Sequence, residues 1–186
     1  MPPRLTPSFT TVGYAGAQVQ HQFGTQFSLG VSDRLDVRAR YEGVWIDGSD
    51  IDHIDVVGFG PKISLHPDQA ALYLPVGFAF GNDIESSKTW EAHPTLIATH
   101  VVNRLYEVNV TMKMLISLND ENFNTRIAAN LGLGIGPDVM KYVILPEAGV
   151  LFHTSEGDPI YQFGIGLSMA TTKRKRSESV GQRERD

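Results

Sequence analysis

The stretch that decides the fold is Leu35-Asp36-Val37-Arg38-Ala39-Arg40-Tyr41-Glu42-Gly43-Val44-Trp45, which alternates apolar or small residues with mostly charged ones. Successive side chains of a β-strand point to opposite faces, so this segment presents one apolar face and one charged face. In a water-soluble sheet the apolar face is the core. In a barrel that spans a membrane the apolar face meets lipid and the charges fill the interior.

The same two-residue period continues along most of the 186 residues and predicts an all-β protein. Short turns alternate with longer acidic loops, as in an antiparallel up-and-down transmembrane β-barrel of about ten strands. Eight is the alternative count, because 15–31 also fits one long strand bent at Gly24. We expect a disordered segment at 1–9, the barrel at 10–170 and a disordered basic tail at 171–186. The predicted strands are 10–17, 22–31, 35–45, 54–65, 71–80, 89–99, 105–117, 124–135, 142–153 and 160–170.

Composition narrows the function classes. The chain has no cysteine, which excludes disulfides, a thiolate metal site and a cysteine nucleophile. Its net charge is −5, and because 173–186 carries +3, the remainder carries −8. Such a body is a poor electrostatic partner for nucleic acid, so we expect none.

The two faces of the predicted strands differ in a way that favours the membrane. The apolar face holds roughly thirty large side chains, which would overfill the interior of an eight- to ten-stranded barrel. The polar face mixes glycine and serine with long charged side chains, five basic against five acidic, as a narrow interior of ion pairs requires. We therefore predict a charge network in the lumen that consists of these ten charged residues and one histidine. Its members are Asp36, Arg38, Arg40, Glu42, Lys62, Glu91, His93, Glu107, Lys113, Arg126 and Glu147.

The loop at 46–53 contains Asp47, Asp50 and Asp52. Three carboxylates there lack the spaced glutamate of a calcium-binding hand. We expect loose binding of divalent cations that bridge these loops to lipopolysaccharide phosphates.

Candidate catalytic residues are few. His93 lies beside Glu91 on the polar face and could serve as a metal or proton site, although a hydrogen-bonded lumen histidine is the simpler interpretation. His53 and His153 fall at the predicted loop end, but no nucleophile motif accompanies them. We therefore expect no enzymatic activity, no metal and no cofactor.

Several phrases resemble small Gram-negative outer-membrane β-barrel proteins over roughly residues 10–170. The resemblance implies a location in the bacterial outer membrane and carries no catalytic residues with it. The phrases are Gly30–Val37 at a turn, Gly58–Leu65 with Leu72–Gly77, Pro146–Gly149 and Phe163–Ser168.

Together these patterns predict an outer-membrane β-barrel with a charge-filled, plugged lumen. Its role would be structural or accessory, or a narrow passage for small solutes, and its partner would be membrane lipid. The alternatives are a soluble lipocalin-like barrel that binds a small apolar ligand and a lipid-modifying barrel enzyme. The sequence does not indicate an oligomeric state.

Overall fold

The computed structural model describes residues 4–13, 19–46, 53–82, 84–119, 125–139, 141–154 and 159–170, nearly all of them in antiparallel strands. A 3-10 turn at Ser86–Lys88 is the helical element among these residues, and none of their helices is long and apolar enough to cross a bilayer. The strands are β1 (Arg4–Gly13), β2 (Val19–Gly30), β3 (Leu35–Ile46), β4 (Ile54–His66), β5 (Ala70–Tyr73), β6 (Val76–Phe80), β7 (Glu91–Ala92), β8 (Thr95–Val101), β9 (Tyr106–Ser117), β10 (Thr125–Asp138), β11 (Tyr142–His153) and β12 (Ile160–Ala170).

The strands close into a barrel. Neighbouring strands are paired all the way round the sheet, and β1 pairs with β12, so no edge is left open among the described strands. β5 and β6 follow one another at a single position in the barrel wall, and so do β7 and β8. The twelve strands therefore occupy ten positions around the barrel, which we call staves. The predicted count of about ten antiparallel strands is confirmed. Closure satisfies the backbone donors and acceptors that an open edge would expose.

Prolines divide the two broken staves. The sequence predicts single strands at 71–80 and 89–99, but each is interrupted before a proline, Pro75 or Pro94. Proline has no N–H to donate to a ladder, so the sheet cannot continue regularly through it. The breaks are neighbours, since the backbone N–H of His93 donates to the carbonyl of Pro75 at 2.9 Å.

The first stave begins earlier than expected. The sequence predicts disorder over 1–9 and a strand from Thr10, whereas β1 runs from Arg4 to Gly13 and pairs Arg4 with both Ser28 and Ala170. Pro7 pairs with Thr25 of β2 but has no partner on β12. Because proline is rare inside a strand, its presence made this segment look like a coil in the sequence. The predicted tail, 171–186, lies outside the described residues.

The two ends of the barrel differ. Four connections at one end are short, at 31–34, 67–69, 102–105 and 139–141, and the chain enters and leaves the barrel at this turn end. The connections at the other, loop end lie at 14–18, 47–53, 81–90, 118–124 and 154–159. The tightest turn places Asp68 at φ 61°, a left-handed conformation that aspartate tolerates.

The barrel is inside out compared with a soluble protein. Exposed large apolar side chains occupy the outer face of every stave whose side chains are described. Among these residues the buried apolar set is small, and Val139 is the largest fully buried side chain. No described layer of packed large side chains could therefore serve as a water-excluding core.

We predict that an added methyl group at Gly60 destabilises the barrel, because β4 passes the break between β5 and β6 there. A Cβ at Gly60 would lie 2.3 Å from the carbonyl oxygen of Leu74, whereas one at Gly166 would lie 3.6 Å from its nearest neighbour, Leu145. In urea unfolding from detergent micelles, Gly60→Ala should lose about 1–3 kcal/mol or fail to fold. Gly166→Ala should be neutral or gain up to about 1 kcal/mol. Equal effects of the two substitutions would contradict this account of the break.

Candidate functional site

Ten side chains of the predicted lumen set lie on inward-facing positions of their strands, and the eleventh, His93, faces the interior between β7 and β8. Glu147 is exposed to the open lumen. On β3, for example, Asp36 is buried while Val37 beside it is exposed, and Lys113 on β9 is flanked by the exposed Met112 and Met114. The interior divides into two halves with different chemistry. One half is crossed by hydrogen-bonded charges, and the other encloses a cavity.

The half toward the loops is crossed by what we call the central charge cluster, formed by Arg40, Glu42, Glu91, His93 and Arg126. Arg40 of β3 donates from Nη2 to His93 Nδ1 at 2.5 Å. His93 Nε2 lies 2.7 Å from Glu91 Oε2, and Glu91 Oε1 accepts from Arg126 of β10 at 2.8 Å. The chain of contacts therefore joins three separate staves across the interior.

The geometry fixes the tautomer of His93. A guanidinium only donates hydrogen bonds, so Nδ1 must be the acceptor for Arg40. Nε2 then carries the hydrogen and donates to Glu91. The side chain of His93 is 8% exposed, and a second proton at Nδ1 would face Arg40 directly. Both ring nitrogens of His93 are occupied within the cluster, which argues against the predicted alternative of a metal ligand.

The half toward the turns encloses the lumen cavity, of about 210 Å³. Its lining reaches the turns themselves at Arg34 and at 66–69, so the cavity is accessible from the turn end. Its walls carry charges from both sides of the barrel. The charged residues that line it are Arg34, Asp36, Arg38, Lys62, Asp68, Glu107 and Glu147.

Pairing is uneven between the two halves. In the central charge cluster each carboxylate has a basic or imidazole partner within 4.0 Å. In the lumen cavity Glu107 accepts only from Asn109 Nδ2 at 3.1 Å, and Glu147 has neither a hydrogen bond nor an ion pair to any described residue. Asp36 is 9% exposed, and its Oδ1 is buried with no hydrogen-bond partner in the described part of the chain. The five-against-five balance predicted from the sequence is therefore not a complete set of close pairs.

Tyr73 belongs to the interior although the predicted set omits it. Its ring is buried, and the guanidinium of Arg38 lies 5.5 Å from its centroid in a cation–π arrangement. The alternation of the sequence already places Tyr73 on the polar face, and the structure pairs it with Lys62 in register.

A second polar group lies on the outer surface near the loop end. Tyr41 donates its hydroxyl hydrogen to Asp55 Oδ1, and His53 Nε2 lies 2.9 Å from the same oxygen. The His53 ring stacks on Trp45 with centroids 4.6 Å apart. Asp55 is a charged residue on the face of β4 that is otherwise apolar. This break in the alternation is the sequence feature that could have predicted the polar group. Tyrosine and tryptophan with a polar partner suit the interface between lipid and water.

The remaining predicted residues are not brought into a site. Asp47, Asp50 and Asp52 lie outside the described residues, and His153 ends β11 opposite Arg126. His53 Nδ1 makes no hydrogen bond within the described part of the chain, so no nucleophile is coupled to it there. Among the described residues no three His, Cys, Asp or Glu side chains are grouped to hold a metal ion.

Comparison with known proteins identifies no family: no family model and no curated protein sequence matches this chain. Solved structures align with this chain at low TM-scores and low sequence identity. The translocator domain of the autotransporter NalP from Neisseria meningitidis aligns with a TM-score of 0.46 and 9% identity over 91% of this chain and 88% of that chain. Ail, the attachment invasion locus protein of Yersinia pestis, aligns with a TM-score of 0.29 and 12% identity over 90% of this chain and 95% of that chain.

These TM-scores are too low to assign a fold class by likeness, and it is the strand pairing of this chain that establishes the closed antiparallel barrel.

We predict that Glu91 is the residue on which the central charge cluster depends, because it accepts from both His93 and Arg126. Glu91→Ala should lower the free energy of unfolding by about 2–4 kcal/mol, since it leaves Arg126 and His93 without their acceptor. The control is Glu85→Ala, which breaks the exposed Glu85–Lys88 pair and should cost less than about 1 kcal/mol. Chemical unfolding in micelles measures both, and equal losses would show that the cluster does not depend on Glu91.

Proposed function

We propose that this chain spans the bacterial outer membrane as a closed barrel whose lumen is plugged, and that its role is structural or accessory. The observation that carries the proposal is the ring of exposed large apolar side chains around the described staves. We infer from this ring that the outer surface is solvated by lipid, and the proposal assigns no catalytic activity.

The ring is too extensive for a surface in water. Monomeric soluble proteins rarely expose contiguous apolar patches above a few hundred Å². Here the outer residues of β9, β10 and β12 form unbroken apolar series in which Val110, Met112, Leu131, Phe163 and Ile165 are each at least 45% exposed. Strands of 10–14 residues, such as β3, β9 and β10, are long enough to cross a bilayer when tilted.

Aromatic residues support the same orientation. Trp45, Phe152 and Tyr161 are exposed on the outer surface near the loop end, where the Tyr41–Asp55–His53 group also lies. Transmembrane barrels carry aromatic girdles at the interfaces, with long loops outside and short turns in the periplasm. We therefore propose that the loop end faces the cell exterior. Bridging of the acidic loop at 47–53 to lipopolysaccharide phosphates by divalent cations is part of this proposal and rests on the sequence.

The interior supports a plug more than a pore. Barrels of eight strands have interiors just wide enough for side chains to fill, and wide aqueous channels occur with about sixteen. The central charge cluster joins β3 to β7 and β10 across the interior. The lumen cavity is lined by charges, which disfavours the alternative of a lipocalin-like carrier for an apolar ligand.

Insertion into lipid tests the proposal. The barrel should fold into lipid vesicles, detected by heat-modifiable gel mobility and β-type circular dichroism. We expect Leu131→Lys, in the middle of β10, to lower its stability in the bilayer by about 2–4 kcal/mol, because a charge at the bilayer midplane is poorly solvated. Val102→Lys, at the turn end, should cost less than about 1 kcal/mol.

The contrast between those two variants is the diagnostic result. Both positions are more than half exposed, at 58% and 56%, so water alone would not distinguish them. Equal tolerance of lysine at the two positions, or monomeric folding of the wild-type chain in detergent-free buffer, would overturn the membrane assignment.

Conductance tests the plug. In planar bilayers at high salt, the folded wild-type barrel should show no sustained open level, because the central charge cluster obstructs the lumen. Gly166→Ala, which leaves the cluster intact, serves as the matched control and should be equally silent. A stable ohmic conductance from the wild-type protein would exclude a plugged lumen and support the narrow passage instead.

A further inference from the structure

Arg40 lies where it can bind either of two partners. Its Nη2 donates to His93 Nδ1 across the interior at 2.5 Å, and its Nη1 lies 3.6 Å from Glu42 Oε1 on its own strand. The first contact joins β3 to the segment between β7 and β8, whereas the second stays within β3. Arg40 is therefore a tie across the lumen whose alternative partner is already within reach.

The wall beneath Arg40 leaves room for this tie. Arg40 is opposite Gly58 of β4 in register, Gly58 is opposite Gly77 of β6, and Gly77 is in turn opposite Glu91 of β7. A Cβ at Gly58 would lie 2.9 Å from Arg40 Nε and 3.3 Å from its Cγ. Two neighbouring glycines thus let a long side chain cross the sheet toward Glu91 and His93, as narrow barrel interiors require. The side chain of Arg40 is only 11% exposed along this path.

The tie depends on the charge of His93. Nδ1 can accept from a guanidinium only while it carries no hydrogen, and Nε2 already donates to Glu91. A second proton on the imidazole has to be placed at Nδ1, where it meets the N–H of Arg40 and adds a like charge beside it. The contact between Arg40 and His93 therefore exists only while the imidazole is neutral.

The groups around His93 determine what protonation changes. A proton turns the contact with Glu91 into an ion pair and makes the contact with Arg40 repulsive. Within the described residues, Glu42 is the carboxylate at ion-pair distance from Arg40, so it is the partner to which Arg40 moves. The charged and titratable groups around this region are Arg40 and Glu42 of β3, Tyr73 of β5, Glu91 of β7, Lys113 of β9 and Arg126 of β10.

We propose that the central charge cluster is an acid-released gate: protonation of His93 transfers Arg40 to Glu42 and makes the lumen passable to small ions. The proposal rests on the plugged lumen proposed above, which is its closed state. Release of Arg40 removes the tie between β3 and His93, so that the lumen cavity, accessible from the turn end, is continuous with the half toward the loops. Glu91 meanwhile holds His93 and Arg126 on the far wall.

Single-channel recording of the full-length barrel at about pH 7.5 and about pH 5 tests the gate, because unperturbed imidazole titrates between these values. We expect the wild type to be closed at the higher pH and its open fraction to rise at least about tenfold at the lower one. His93→Gln has no titratable ring and should show the same open fraction at both values. His100→Gln removes an exposed histidine from β8 and should open with acid like the wild type.

A second variant moves Arg40 without changing any charge. Gly58→Ala places a methyl group against the flexible Arg40 side chain and should displace it while the strand pairing is kept, as judged by heat-modifiable mobility. The displaced tie should leave the lumen open at about pH 7.5, where the wild type is closed. Gly166→Ala adds the same methyl group away from Arg40 and should behave like the wild type at both pH values.

Nitrogen NMR of labelled imidazole in detergent micelles reads the charge of His93 without conductance. We expect hydrogen on Nε2 alone in the closed state and on both nitrogens at the pH at which the lumen opens. Hydrogen on Nδ1 in the closed state, a wild type that stays closed with acid, or an undiminished acid response in His93→Gln would each overturn the gate. A wild type that conducts equally at both pH values would contradict the gate and the plugged lumen together.

Discussion

The constraint on which the rest of this structure depends is the width of a closed ten-stave sheet. Closure satisfies the backbone but leaves an interior so narrow that side chains from opposite walls meet. Arg40 of β3 contacts His93, which lies beyond β4 and β6 around the barrel, and Arg126 of β10 contacts Glu91. Long charged side chains can cross such a space only where they find a partner, and small residues must lie beneath them.

The strand breaks at the two prolines determine where His93 lies in this narrow interior. Pro75 and Pro94 interrupt adjacent staves, and the His93 N–H donates to the Pro75 carbonyl between them. His93 is thereby fixed on the inner face with both ring nitrogens committed to Arg40 and Glu91. The interruption of strand pairing at Pro75 and Pro94 therefore lies at the centre of the central charge cluster.

The sequence predicts the part of this structure that depends on the alternation of polar and apolar residues along each strand. The strands at 142–153 and 160–170 have the predicted bounds, and Asp36, Arg38, Arg40 and Glu42 face inward as the alternation requires. It does not predict which charges pair, because pairing depends on stagger between staves that are distant in the chain. For the same reason an even charge count was mistaken for complete pairing. The start of the first stave was predicted too late because Pro7 interrupts its alternation. Asp55 was not predicted as a site residue because the alternation assigns its position to the apolar face, although a charge at such a position is itself a signal.

The difference between the two halves of the lumen is therefore a difference in what the chain completes for itself. Toward the loops, Arg40, His93, Glu91 and Arg126 satisfy one another, so that half can be dry and rigid. Toward the turns, Glu107 and Glu147 lie against Gly132 and Gly134 and make no ion pair with a described residue, so that half encloses the lumen cavity instead. The alternation places both groups of charges on the inner face, and the stagger between the strands decides which of them come within pairing distance.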